Sequence, residues 1–425
     1  MSEIQNYKCP ACGGMLQFSS REQKLVCANC KSSYDVAEFE AAGGLGAAGN
    51  YQAQTDNWNV QADGLVTYAC KTCGGEVVGD QSMASTKCPY CDSPIVIAGQ
   101  FSGAQRPDAI IPFKLNKHAA KEKLKQHMTS AKMVPSVFSS ENHLQELKGV
   151  YVPFWLYDAD VHAQATFEAT KEKKWSDAQY NYTETSYFNV MRGGNMSFRN
   201  IPADASKKFD DKLMDSIEPF NTDEATAFSP AYLAGYLAEK YDVSFAECMP
   251  RADERIKNTS LSLLKGQVKD YKSVNVQNSN YQKLQSGGKY ALFPVWLLNT
   301  TWNGKKFTFA MNGQTGKMVG DLPFSIGKFF MYLAIFFAVL GGGISALMTK
   351  GYTNIQGSNL VVGLAIGLII SLIICFVMKG KTKSVHTAKS AIDCVVKGSF
   401  RVTEGYDNFM RTQTDKKPKN TQQNS

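Results

Sequence analysis

The chain has 425 residues, 44% of them hydrophobic, and a formal net charge of +8. That length accommodates two or three domains, and the composition excludes both a disordered chain and one embedded in a membrane throughout. The charge is localised: residues 379–425 hold ten Lys and Arg against four acidic residues, so the rest of the chain has no broad basic face of the kind a nucleic-acid domain presents.

Eight of the eleven cysteines lie in four Cys-x-x-Cys pairs near the N-terminus, leaving Cys248, Cys375 and Cys394 as scattered apolar residues. The opening Met1-Ser2-Glu3-Ile4-Gln5-Asn6 has no basic segment followed by an apolar run, so a signal peptide is not expected. A reducing compartment follows, which favours metal thiolates over disulfides. The pairs form two modules of identical spacing: Cys9-x2-Cys12, fourteen residues, Cys27-x2-Cys30, then Cys70-x2-Cys73, fourteen residues, Cys88-x2-Cys91. Tyr7-Lys8-Cys9-Pro10-Ala11-Cys12-Gly13-Gly14 returns as Tyr68-Ala69-Cys70-Lys71-Thr72-Cys73-Gly74-Gly75, so the module is duplicated.

Two knuckles of this kind place four thiolates on one tetrahedral ion, and the expectation is one Zn2+ per ribbon, two in all. A module of about 35 residues buries too little apolar surface to fold alone. Zinc supplies the difference, on the order of 10 kcal/mol in small metal modules. Four thiolates leave no position for water or substrate, so the expected role is structural. Each ribbon, 1–40 and 66–101, sums to a charge of −1, which favours a protein partner over phosphate contacts. Between them, residues 41–65 are rich in Gly, Ala, Asn and Gln and read as a flexible linker.

Residues 105–326 read as an α+β cytoplasmic domain. Strand-like runs cover 109–113, 150–156, 289–301 and 306–311. Ser229-Pro230 reads as the N-cap and first turn of a helix over 231–240. Asn303-Gly304 marks a tight hairpin. Pro153-Phe154-Trp155-Leu156 is echoed by Pro294-Val295-Trp296-Leu297, which leaves open a second, diverged repeat or simply two strands anchored by tryptophan.

Residues 329–348 and 360–378 contain no charge, and each is long enough to cross about 30 Å of hydrocarbon. They read as a transmembrane hairpin over 329–378, followed by a basic cytoplasmic tail over 379–425. Lys328 and the lysines after the second span place both ends, and so both termini, in the cytoplasm. Small residues recur every four positions, Ala334, Ala338, Gly342 and Ala346 in the first span and Gly363, Gly367 and Ser371 in the second, a pattern for close helix packing.

No phosphate-binding loop, His-Glu-x-x-His pattern or Gly-x-Ser-x-Gly elbow occurs, so no catalytic or cofactor-binding residues are assigned and the chain is expected not to be an enzyme. With the ribbons, the 232–241 segment, the Pro-x-Trp-Leu strands and the terminal hairpin together, the chain resembles Gram-positive bacterial membrane proteins labelled transcription factor IIB-type zinc-ribbon proteins. Some of those relatives dock phage-shock-protein-A-like envelope-stress proteins. The resemblance therefore implies a multi-pass cell-membrane scaffold that recruits a protein partner; the alternative is a membrane-tethered nucleic-acid-binding regulator.

Overall fold

A computed structural model describes residues 4–5, 7–41, 65–69, 76–80, 83–87, 94–97, 106–135, 138, 147–349 and 357–419. The chain divides into two compact units. Met1–Pro153, Ser206–Asp242 and Ala291–Thr387 form the first; Phe154–Ala205, Val243–Tyr290 and Ala388–Ser425 form the second. Two strands, of 29 and 30 residues, each contribute residues to both units.

One order of elements occurs twice. A short strand β1 (Ala109–Ile110), a helix α1 (Lys117–Ser130), a long strand β2 (Lys148–Ser176) and its hairpin partner β3 (Tyr180–Asp204) make the first copy. The second is β4 (Leu237–Glu239), α2 (Phe245–Lys265), β5 (Ser273–Trp302) and β6 (Lys305–Asn312). Their short strands are exchanged: β1 lies parallel to β5 with Ile110 opposite Leu292, and β4 lies parallel to β2 with Ala238 opposite Tyr151. Both pairings fall four residues ahead of a tryptophan, Trp296 and Trp155.

Each helix starts at a side-chain cap. Asn116 accepts from the Ala119 N–H at 2.9 Å, and Ser244 and Glu247 form a reciprocal capping box. The tryptophans close the arrangement on the residue just before each cap. In the first unit Trp296 Nε1 donates to Leu115 O at 3.0 Å, and in the second Trp155 Nε1 donates to Val243 O at 2.9 Å. The Pro-x-Trp-Leu echo thus marks two equivalent strand positions, each anchored by its tryptophan beside a helix cap.

In the first unit Phe113 lies stacked on Tyr236, 4.1 Å between centroids, with Tyr151 and Trp296 edge-on to it. Gly149 makes room for this cluster, since a Cβ there would stand 2.7 Å from the Tyr236 ring. In the second unit the inward face of β2 presents Ala159, Val161, Ala163, Ala165, Phe167 and Ala169 at period two. Their small side chains share a core with Cys248, Ala252, Ile256 and Leu264 of α2, spaced for one helix face.

The Asn303-Gly304 turn is as expected, with positive φ at both residues (48° and 74°) joining β5 to β6. The helix expected over 231–240 is not formed. Ser229 does cap, accepting from Ala231 N–H at 3.1 Å, but only a 3-10 turn, Pro230–Leu233, follows. Gly235 then takes φ +95°, which ends any helix and turns the chain into β4. The expected basic tail is also ordered: β7 (Arg401–Pro418) runs antiparallel along β3, from Asn195 to Tyr180. Gly194 is required for that approach, since a Cβ would stand 2.4 Å from Arg401 O.

Two helices, Ile326–Met348 and Leu360–Gly380, are long and apolar enough to cross a membrane. The second buries Gly363, Gly367, Ser371 and Cys375, a stripe of period four that contains the three small residues expected there. On the first helix the contact falls on Gly341 and Ser345, while Ala334, Ala338, Gly342 and Ala346 are exposed. A π-helical segment, Phe337–Gly341, widens the turn at that point, so the face a simple helical count picks is one residue out.

A Cβ on Gly367 would lie 2.3 Å from Gly341 Cα, whereas one on Gly342 meets nothing within 4 Å. Gly367→Leu should therefore destabilise the helix pair by about 1–3 kcal/mol in detergent denaturation, and Gly342→Leu should leave it unchanged. Trp296→Phe keeps the ring but strands the Leu115 carbonyl, and a stability loss of about 1–3 kcal/mol is expected in the same assay.

Candidate metal centre

Cys9, Cys12, Cys27 and Cys30 bring their sulfurs within 4.8 Å of one another. The closest pairs, Cys9 with Cys30 and Cys12 with Cys27, are 3.5 Å apart. Four sulfurs on a tetrahedral zinc at its usual bond length would be about 3.8 Å apart, so the donor set fits one such ion with little movement.

The backbone builds this cradle. Cys9 N–H donates to Gly14 O (2.7 Å) and Gly13 N–H to Cys9 O (2.8 Å), closing the first knuckle, with Gly13 at φ +69°. The second closes through Lys31 N–H to Cys27 O (3.1 Å), with Lys31 itself at φ 63°. A Cβ at Gly14 would stand 3.1 Å from Cys27 Sγ and 3.3 Å from Cys12 Sγ, so glycine there leaves room for the sulfurs. Leu16–Ser19, Lys24–Cys27 and Ser33–Tyr34 form the small antiparallel sheet that carries the loops.

Three polar neighbours complete the surroundings, and Cys spacing does not disclose them. Tyr34 Oη lies 3.4 Å from Cys9 Sγ, Ser32 Oγ 3.2 Å from Cys30 Sγ, and Asn29 Nδ2 3.8 Å from Cys12 Sγ. The Tyr34 hydroxyl holds the Cys9 thiol below its ordinary range, and the Ser32 hydroxyl and amide draw Cys30 down to about 6. Both groups thus favour the thiolate that binds metal.

The ribbon is seated on the body of its own unit. Phe18 N–H donates to Ala234 O at 2.9 Å, Phe18 packs edge-on to Tyr232, and Gln23 Nε2 donates to Phe113 O at 2.8 Å. Ser229 donates to the Glu40 carboxylate, and Gly235, held at φ +95°, lies against the Gln17 side chain. The 229–236 segment is therefore a docking surface for the ribbon. The second module reaches the same segment: Ser85 Oγ donates to Tyr236 O at 2.8 Å, and Ser85 pairs with Ala238. Cys70, Cys73, Cys88 and Cys91 themselves lie outside the described residues.

Elsewhere, histidines are engaged by neighbours: His127 Nε2 contacts Gly320 O at 2.9 Å, and His162 contacts Asn195 Oδ1 at 2.7 Å and Glu404 Oε1 at 3.2 Å. Two pockets in the second unit, beside Leu261 and beside Phe245, each have room for little more than a water molecule.

In sequence the chain is 32% identical over 356 residues to YdjG of Bacillus subtilis (strain 168), described as an uncharacterized protein; the match covers 82% of this chain and 100% of that relative. No family model and no solved structure matches the chain.

Elemental analysis of purified protein gives a direct check on the centre. Replacing Cys9, Cys12, Cys27 and Cys30 together by Ser should lower bound zinc by one equivalent relative to the wild type, and unchanged zinc would show that these four cysteines hold none. If the module's fold depends on a metal at these cysteines, the same variant should also become sensitive to proteolysis within residues 7–41.

Proposed function

The chain belongs to the family of YdjG from Bacillus subtilis, and on that footing we propose that it is a non-enzymatic membrane adaptor that presents zinc-held modules to protein partners. The observation that carries this reading is the closed donor set: four sulfurs fill a tetrahedral ion, leaving no position at which a substrate or an activated water could bind. The centre serves to hold a small module rigid on the 229–236 segment. The repeat of that spacing at Cys70, Cys73, Cys88 and Cys91 supports a second zinc of the same kind.

The two apolar helices anchor this body in the cell membrane. Lys328 precedes the first, Lys379, Lys381 and Lys383 follow the second, and the intervening turn carries only Lys350, a bias that puts both ends, with the ribbons, in the cytoplasm. Zinc thiolates are also kept reduced on that side. The near-neutral ribbons favour a protein partner over nucleic acid, and a phage-shock-protein-A-like stress protein is the first partner to test.

Affinity capture from gently solubilised membranes tests the reading. Wild type should retain a partner that Cys70→Ser with Cys73→Ser loses, and identical sets would remove the second ribbon as the docking surface. Tight DNA or RNA binding with a steep salt dependence would instead establish the nucleic-acid-binding alternative.

A further inference from the structure

The far end of the second unit's sheet joins two basic segments that are distant in sequence. Reading across β2, β3 and β7, Trp175 stands opposite Tyr182, and Tyr182 opposite Lys416, so these three share a row. Trp175 and Tyr182 are stacked, 5.4 Å between centroids and 8° between planes. Lys416 Nζ lies 3.6 Å from the centroid of Tyr180, and Lys173 Nζ 5.9 Å from that of Trp175. Lys174, Lys417 and Lys419 flank the row, all exposed.

Acids temper this charge without balancing it: Glu184 stands opposite Lys173 on the aromatic face, but Lys171, Lys173, Lys174, Lys416, Lys417 and Lys419 outnumber Glu172, Asp177, Glu184 and Asp415 across the tip. Asp177 is built into the turn, accepting from Gln179 N–H, Tyr180 N–H and Tyr182 Oη at 2.7–2.8 Å, and its carboxylate faces Lys416. Glu172 lies 3.4 Å from Lys174, and Asp415 pairs in the register of Lys174, whose side chains point to the other face from Trp175. Trp175 is 41% exposed, a large apolar ring at a strand end with Lys173 beside it and Lys416 in its row on the same face.

We propose that this tip is a peripheral anchor for anionic phospholipid headgroups. An indole ring with a polar N–H, tyrosine hydroxyls and snorkelling lysines together match the boundary between acyl chains and phosphates. Single-stranded nucleic acid would need open ring faces for stacking, and here Lys416 covers Tyr180 while Trp175 and Tyr182 cover each other. The occupant is the bilayer that holds the same chain's two apolar helices, since tethering raises its effective concentration. The proposal rests on the spanning reading of those helices.

The two apolar helices contain no tryptophan, so quenching by brominated lipid reports on the soluble part. Full-length protein would be placed in nanodiscs of brominated phosphatidylglycerol or brominated phosphatidylcholine, with Trp175→Phe as the reference. The difference in emission between wild type and Trp175→Phe should be quenched by the anionic lipid, recover at about 1 M salt where screening is within about 3 Å, and vanish in Lys173→Ser with Lys416→Ser. Each lysine removed should weaken headgroup binding about fivefold. Zinc content and circular dichroism confirm that the variants are folded. No quenching, equal salt-independent quenching by both lipids, or quenching by a single-stranded oligonucleotide in place of lipid would each overturn the proposal. Alkaline carbonate extraction separates the two readings: extractable protein would refute the spanning helices, and resistant protein without quenching would refute the tip anchor alone.

Discussion

The indole N–H of Trp296 and that of Trp155 each end on the carbonyl of the residue preceding a helix cap, Leu115 in one unit and Val243 in the other. That single type of contact ties strand to helix. A buried indole N–H without an acceptor would cost about 1–3 kcal/mol, so strand position and helix start are set together. The exchange of β1 and β4 between copies follows the same logic. Each short strand is too small to be stable alone and finds its partner on the long strand of the other copy, at one register relative to tryptophan.

The ribbon solves a related problem of size. Its sheet has strands of four, four and two residues, and its whole core is little more than Tyr7, Leu16, Phe18, Leu25, Val36 and Phe39 with Cys9 and Cys27. A closed thiolate centre supplies cohesion from within, and the 229–236 segment supplies an outer wall. Gly235 is the pivot of that wall. Its positive φ ends the turn after Leu233 and brings the Ala234 carbonyl to the Phe18 amide.

Much of the candidate site was legible in the chain itself. Four cysteines at fixed spacing, the first pair followed by Gly-Gly, can satisfy a tetrahedral ion in few ways, and the fold gathers Cys9, Cys12, Cys27 and Cys30 accordingly. Tyr34, Ser32 and Asn29 were not legible, since their role depends on where a hydroxyl or amide points. The helix expected over 231–240 fails to form for a specific reason. Ser-Pro followed by Ala, Tyr and Leu has every local mark of a helix start, and the contacts that favour an extended path come from Gln17, Phe18 and Ser85, remote in sequence.

What the sequence alone determined were features carried by local chemistry: the thiolate ligands, the Asn303-Gly304 turn, and two uncharged runs of membrane length. Each depends on residues within one short segment, where spacing dictates geometry. Tertiary structure decided what depends on partners. It made residues 401–418 a strand where the sequence shows only a basic stretch, because β3 offers a free edge with Gly193 and Gly194 to admit it. It moved the helix contact to Gly341 through a π-helical turn that has no local signature. It also brought Lys416 onto Tyr180, beside Trp175, since only strand pairing can place residues more than two hundred positions apart in one row.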